Sequence, residues 1–593
     1  DDSIVVLENI YHHLEKGETK REAALKGRNE IGFAALSITL VDVVVFVPLT
    51  LVGGLIGNIL KEFSLVVVAS TLMSLFVSFT VTPMLASRFS KLQDIRKPGL
   101  MNAFSRGFEN LFNRVKRHYE GLLKYALRHW ILTLLVTFIL FIASFLLPAL
   151  GFIGGEFITQ TDRGEFTVTL ELDPGTTLEN TNYTTRNIEN IIGTMPEVQK
   201  TFVNVGASAE GLFSQSANNA AEINVTLVPK EQRLLATDQV GNEIKKKLQD
   251  IPGAKIRVNP IGIFGVANQT PVQIIVSGPN MNVVKSSADS VFNILKRIPG
   301  TADVRLSTED GKPETRVEID RDKLSTFGIS IAEVGTALRV GLSGDDDSKF
   351  RDVKTNTEYT IRIAYDEFNR TKMSDLNSMV FFTPQGRAVQ LNQFANIYQT
   401  TGPTKLTRKD RNPTIYVYSQ VNGVPSGTIG AAFQEGLKKA NLPPEIIIGY
   451  DGDLRNQAEG FSSLGLALLA AIIFMYLIMV ALYDSYIYPL VVMFSLPVAI
   501  IGAFLALALT MKTLNIFSIL GLIMLMGLVA KNAILLVDRA NDRKLHGMSS
   551  YDAIVEAGDT RLRPILMTTI SMVVGMLPIA LSHDSGSEWK SGL

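Results

Sequence analysis

Seven long apolar runs dominate this chain, at about 31–52, 63–86, 130–152, 461–482, 487–510, 514–537 and 564–581. A helix rises about 1.5 Å per residue, so about 20 apolar residues cross the hydrocarbon of a bilayer. Lipid offers no partner to a free backbone N–H or C=O, so each run must fold as a helix. An eighth, partial run, Ser3-Ile4-Val5-Val6-Leu7, follows Asp1 and Asp2 and reads as the inner half of a further span. The class this implies is a polytopic membrane protein. The chain has no cysteine, which excludes disulfides, and its formal net charge is zero, which argues against a nucleic-acid partner. It opens mid-helix without Met or a signal peptide and ends on a polar stretch. Both features are expected of an internal piece of a longer protein.

The apolar runs fall into two groups. Between them, residues 155–455 contain no run long enough to span, and they read as an α+β domain. Orientation follows from Lys and Arg in the short loops. Residues 88–129 hold ten basic residues against three acidic ones, and 13–30 and 538–563 hold five basic residues each. Alternation of the spans puts all three on the cytoplasmic side and 155–455 outside. Residues 101–119 place Phe104, Phe108, Leu111, Phe112, Val115 and Tyr119 on one stripe beside Arg106, Arg114, Lys116 and Arg117. That pattern fits a helix lying in the membrane interface.

The outer domain repeats itself. Alternation at 166–170, helical periodicity at 178–194, alternation at 223–227, a second helix ending near Leu248 and a strand at 256–258 give the split β-α-β, ferredoxin-like order. The order recurs from 272–276 through a helix at 282–297 and strands at 302–307 and 315–319. After an insertion it resumes at 414–418, with a helix at 426–440 and a strand at 445–448. The expected organisation is therefore 1–152 membrane helices, 155–265 a first unit, 266–322 with 412–455 a second unit, 323–411 an insertion, and 456–593 membrane helices.

Charges inside apolar runs carry the functional signal. Asp1 and Asp2 at one end of the chain and Lys531 at the other lie in membrane segments, where each charge costs roughly 2.5–3.5 kcal/mol on insertion scales. Such charges persist where they pair or move protons. Asp42 lies mid-span and either extends a proton path or lines a wet interior. Glu8 reads as interfacial. Arg561 and Thr568 are seven residues apart and share one helix face.

Three segments resemble signatures of the resistance-nodulation-division (RND) superfamily: Asp1-Asp2-Ser3-Ile4-Val5-Val6-Leu7-Glu8-Asn9, Gly527-Leu528-Val529-Ala530-Lys531-Asn532-Ala533-Ile534-Leu535 and Arg561-Leu562-Arg563-Pro564-Ile565-Leu566-Met567-Thr568-Thr569. Phe46-Val47-Pro48, Tyr483-Asp484-Ser485 and Asp320-Arg321-Asp322-Lys323-Leu324 support them. The closest branch is the hydrophobe/amphiphile (multidrug) exporters, since metal-exporting relatives carry one acid here and lack the lysine. The resemblance covers the whole chain, from partway through the family's fourth transmembrane helix to the end of its eleventh.

The resemblance implies a transporter rather than an enzyme, a proton-driven antiporter in a bacterial inner membrane. Asp1, Asp2, Lys531, Arg561 and Thr568 would be its proton relay. Residues 206–219 would be a mobile loop between two substrate pockets, with Phe202, Gly206, Gly211, Phe213 and Asn224 near the substrate. Asn224 departs from the aromatic residue common at that position. The insertion would dock other envelope components, and the partners implied are a homotrimer, a periplasmic adaptor and an outer-membrane channel. No cofactor is expected beyond protons, because the chain lacks a phosphate-binding GxxxxGK[ST] motif. No metal is expected either, since Asp345-Asp346-Asp347 lacks the alternation and terminal Glu of a calcium loop. The same pattern also admits export of an endogenous lipid or glycolipid, a non-transporting scaffold or sensor, and a piece that does not transport by itself.

Overall fold

The computed structural model describes residues 2–90, 100–173, 175–208, 215–262, 270–308, 312–402 and 406–593. The first helices form a tight hairpin. α1 (Asp2–Glu15) turns into α2 (Lys20–Thr50) through Thr19, which closes a capping box with Glu22. Gly27 makes the pair close, since a Cβ there would sit 2.8 Å from the Ile10 Cα. Small residues at such crossings let helix backbones approach where lipid supplies no hydrophobic drive. Pro48 lies in the last turn of α2, and Gly54, at φ +77°, redirects the chain into α3 (Gly54–Phe79) and α4 (Val81–Phe89).

α5 (Leu100–Arg128) is strongly amphipathic and continues well beyond the expected 101–119. It leads through His129 into α6 (Trp130–Ala149). After the outer domain come α14 (Gly452–Tyr483), α15 (Ile487–Met493), α16 (Ser495–Leu509), α17 (Ile516–Leu545) and α18 (Ser550–Ala580). Among the described residues seven segments are long and apolar enough to cross a membrane. In α2 and α17 the most apolar stretch is 56% and 50% buried within the protein, against 6% for the segments 56–89 and 130–149. α2 and α17 therefore make the centre, and the other two present their apolar side chains to lipid. The central core joins Ile38, Val41 and Val45 of α2 to Leu464 and Met475 of α14 and to Ile523, Ala530 and Ile534 of α17.

In the outer domain the first unit runs β1 (Glu165–Leu172), α7 (Leu178–Gly193), β2 (Val198–Ser208), β3 (Gln215–Leu227), α8 (Thr237–Leu248) and β4 (Ala254–Pro260). The four strands form one sheet in the order β2-β3-β1-β4, antiparallel throughout. α7 and α8 cover one face over a core that includes Phe166, Val168, Ile188, Ile223 and Ile244.

The second unit contains β5 (Val272–Ser277), α9 (Met281–Lys296) and β6 (Thr301–Leu306). It is completed after the insertion by β14 (Asn412–Val421), α13 (Ser426–Lys438) and β15 (Ile447–Asp451). β14 lies between β5 and β6, and β15 flanks β5, so the pairing order repeats that of the first unit. The Asn259 side chain of the first unit accepts a hydrogen bond from Gln420 Nε2 of the second at 2.9 Å, tying the two together.

The insertion corrects one expectation. Residues 315–319 were expected as a strand of the second unit. They belong to β7 (Lys312–Ile319), which pairs with β12 (Ala395–Gly402) instead. Val317 and Ile319 accordingly pack with Leu324, Val334 and Phe394 of the insertion. Its other elements are α10 (Arg321–Thr326), α11 (Ile331–Ser343), the hairpin of β8 (Asp345–Asp352) and β9 (Thr357–Ile363), α12 (Met373–Asn377), β10 (Val380–Phe382), β11 (Ala388–Gln390) and β13 (Thr407–Lys409), the last pairing with β14. The outer domain rejoins the membrane without a loop: Asp451 ends β15 and caps α14, and Gly452 takes φ +63° between them.

Candidate functional site

Three central helices bring charge to one place. Asp2 occupies the first turn of α1 and Lys531 the middle of α17, and their side chains are 7% and 2% exposed. Lys531 Nζ donates to Asp2 Oδ1 at 3.3 Å. The other carboxylate oxygen accepts from Ser74 Oγ of α3 at 3.1 Å. Asp42 of α2 completes the cluster. It lies within electrostatic reach of both Lys531 and Asp2. It packs against Gly527, one turn before Lys531, where an added Cβ would sit 2.8 Å from Asp42 Oδ1. A second tie fixes α1 to α4, with Thr82 Oγ1 donating to Ser3 Oγ at 3.1 Å.

A buried ion pair is poor evidence of stability, because desolvation offsets most of the attraction. Removing one partner would leave the other charge uncompensated, and neutralising the acid would release the lysine. The arrangement can therefore switch between a paired and an unpaired state when a proton arrives. Asp1, expected in the same relay, lies outside the described residues.

The remaining relay candidates sit on α18. Thr568 is fully buried, and its hydroxyl donates within its own helix, to Pro564 O at 3.1 Å and Ile565 O at 3.0 Å. Arg561 is buried on the same face, and its charge faces Glu8 of α1 and Asp538 of α17, with Arg539 also in reach. Its Nε has no hydrogen-bond partner among the described residues. Arg561 and Glu8 line a cavity of about 830 Å³ between α1, α5 and α18. Glu8, read from sequence as interfacial, thus lines a cavity whose walls are mostly apolar.

Sequence reasoning did not single out Ser74, because serine is ordinary in a membrane helix and nothing local marks it. It also missed a second charged network, at the other end of α1 from the cluster. There His13 contacts Glu30 at 2.8 Å, Arg539 reaches Glu30 at 3.5 Å, and Arg543 pairs with Glu556 at 2.7 Å. A charged residue on each of several separate helices gives no pattern along the chain.

In the first outer unit, Phe202 on β2 stands opposite Asn224 on β3 and is 69% exposed. Asn224 Oδ1 accepts from Thr167 Oγ1 at 2.6 Å. Gly206 takes φ +87°, in the left-handed region, where β2 shifts register against β3. Gly211 and Phe213 lie outside the described residues.

Seven membrane-length segments among the described residues, a buried cation–carboxylate cluster between the central helices and a large α+β domain together define a polytopic membrane protein with a charged centre. The AcrB/AcrD/AcrF family model matches residues 1–593, and the chain belongs to that family. It is an RND transporter of the hydrophobe/amphiphile exporter family, whose members are transporters rather than enzymes.

Proposed function

We propose that the protein exports drugs or other amphiphiles in exchange for protons. The observation that carries this reading is the buried Asp2–Lys531 pair between α1 and α17. When Asp2 is ionised it holds Lys531. When Asp2 is protonated the attraction ends, and Lys531 is free to turn toward Asp42. The balance between two arrangements of α1 and α17 then depends on protons, which is the bistable element that transport requires. Protons are the coupling ion, and no other cofactor takes part. Asp1 shares proton binding with Asp2. Arg561 and Thr568 line the path on α18, and Arg561 with Glu8 forms its cytoplasmic end.

Residues 155–455 lie in the periplasm above a bacterial inner membrane. The two outer units are ferredoxin-like, a reading supported by the repeated strand order. The direct run from β15 into α14 supports a mechanical link between membrane and outer domain. Phe202, Gly206, Gly211, Phe213 and Asn224 line the substrate path. The insertion 323–411 docks other envelope components, and the working assembly is a homotrimer with a periplasmic adaptor and an outer-membrane channel.

The test is dye efflux by the full-length protein, with Asp2→Asn and Lys531→Ala inserted to the same level as wild type. Export should fail in both variants, and in wild type when the proton gradient is dissipated. Unchanged export in either variant would return these charges to a structural role.

A further inference from the structure

The first outer unit has a root of its own in the membrane helices, separate from the run of β15 into α14. The stretch between α6 and β1 is bonded to the start of α17. Glu156 N donates to Leu514 O at 3.1 Å, and Leu514 N donates to Gly154 O at 2.8 Å. The Thr513 hydroxyl donates to the Glu156 carboxylate at 2.5 Å. Asn515, which caps α17, donates from Nδ2 to Thr159 Oγ1 at 2.8 Å. α17 runs unbroken from Ile516 to Leu545 and contains no proline. Its first turn and Lys531, about 22 Å further along, therefore move as one rod.

The stretch after α18 crosses from that root to the body of the first unit. Trp589 packs on Phe517 in the first turn of α17, with ring centroids 4.4 Å apart. The preceding residue, Glu588, binds outward. Lys230 Nζ, just after β3, donates to Glu588 Oε1 at 2.6 Å, and Asp162 N donates to Glu588 Oε2 at 3.2 Å. Gly586 N and Ser585 Oγ each donate to Asp162 O at 3.0 Å. The Asp162 carboxylate is held in turn by Arg233 and by Thr237, the first residue of α8. The Glu588 and Lys230 side chains are 24% and 29% exposed, so solvent screens the pair and it adds little stability. Its placement says more. One carboxylate joins the stretch after α18, the entry to β1 and the exit from β3, which are far apart in sequence.

Resting on the export reading above, we propose that residues 585–589 are a strap that carries movement of α17 to the first outer unit, with Glu588 as its positioning residue. The Asp2–Lys531 pair governs where α17 sits. Trp589 follows Phe517, and Glu588 passes the displacement to Lys230 and Asp162, and through Thr237 to α8. The second unit is rooted through α14 and does not depend on the strap.

The test is hydrogen exchange in the full-length protein in nanodiscs, with neither gradient nor substrate. Asp2→Asn supplies the neutral state of the relay. It should change exchange at amides 230–240 by about fivefold. In a Glu588→Gln or a Lys230→Met background the same substitution should change those amides by less than about twofold, because contacts in one chain of transmission are not additive. A Lys230→Arg background, which keeps the cation, should retain the response. A purely structural Glu588 would shift exchange by the same amount with or without Asp2→Asn. A response to Asp2→Asn that is equal in the wild-type, Glu588→Gln and Lys230→Met backgrounds, or no response at amides 230–240 in the wild-type background, would overturn the proposal. Failure of dye efflux would leave this outcome untouched, and failure of the strap would leave the efflux test of Asp2 and Lys531 untouched.

Discussion

Lys531 Nζ and Ser74 Oγ grip opposite oxygens of one carboxylate, that of Asp2, at 3.3 and 3.1 Å. Helices α1, α3 and α17 thus meet on a single titratable group. Any change in its charge would be felt by three helices at once, which is the link between proton and helix movement that the proposed exchange requires.

Removing the hydroxyl should weaken the grip without abolishing it. Hydrogen bonds to charged groups contribute about 1.5–3 kcal/mol. We predict that Ser74→Ala lowers the gradient-driven efflux rate roughly tenfold, while Ser74→Thr stays close to wild type. Initial rates of dye efflux at matched protein level check this. A Ser74→Ala rate equal to wild type would remove Ser74 from the mechanism.

Gly27 holds α1 against α2. An added Cβ would meet Ile10 Cα at 2.8 Å and Ile10 N at 2.9 Å, and backbone atoms have no rotamer with which to move aside. The Asn9 Nδ2 bond to Gly27 O at 2.9 Å would be disturbed as well. Gly27→Ala should destabilise the protein by about 1–3 kcal/mol, seen as a lower Tm in detergent. Gly107→Ala, where nothing among the described residues lies within 4 Å and the backbone is helical, should leave Tm unchanged or slightly raised.

Asp162 gives a pH prediction outside the membrane. Burial opposes its ionisation, but hydrogen bonds from Arg233 and Thr237 outweigh that and hold its carboxyl below the usual carboxylate value. A folded pKa below the unfolded one, about 3.9, means stability that is fully present above about pH 4. It is lost as pH falls through the folded pKa. Breaking such a pair leaves the fully buried Arg233 side chain uncompensated, at a cost of about 3 kcal/mol. Asp162→Asn should therefore lower Tm at pH 7 and flatten its acid dependence. Thermal unfolding between pH 3 and 7 reads both. An unchanged Tm at pH 7 would contradict the account.

Much of this arrangement is legible in the sequence, where the signal is local. Apolar runs place the membrane segments, and the gap between the runs 31–52 and 63–86 contains Gly53-Gly54, at the turn between α2 and α3. The helix expected at 178–194 is Leu178–Gly193, and the strand expected at 166–170 lies within Glu165–Leu172. Long-range choices are not legible. β7 alternates like any strand, and only tertiary contact assigns it to β12. Apolarity also understates helix length. The last span was expected from 564, at a proline, yet α18 begins at Ser550 under a Ser549 cap and carries Pro564 inside it. Lys531 is conspicuous because a charge in an apolar run is rare. Ser74 is silent, because its role comes only from what lies opposite it.

The most direct measurement is proton release coupled to substrate movement. The full-length protein is placed in proteoliposomes carrying an internal pH dye, with wild type, Asp2→Asn and Lys531→Ala reconstituted at equal density. The account predicts that adding substrate to wild type produces a proton flux opposite to substrate movement, and that both variants produce none. A substrate-dependent proton flux of wild-type size in either variant would contradict it.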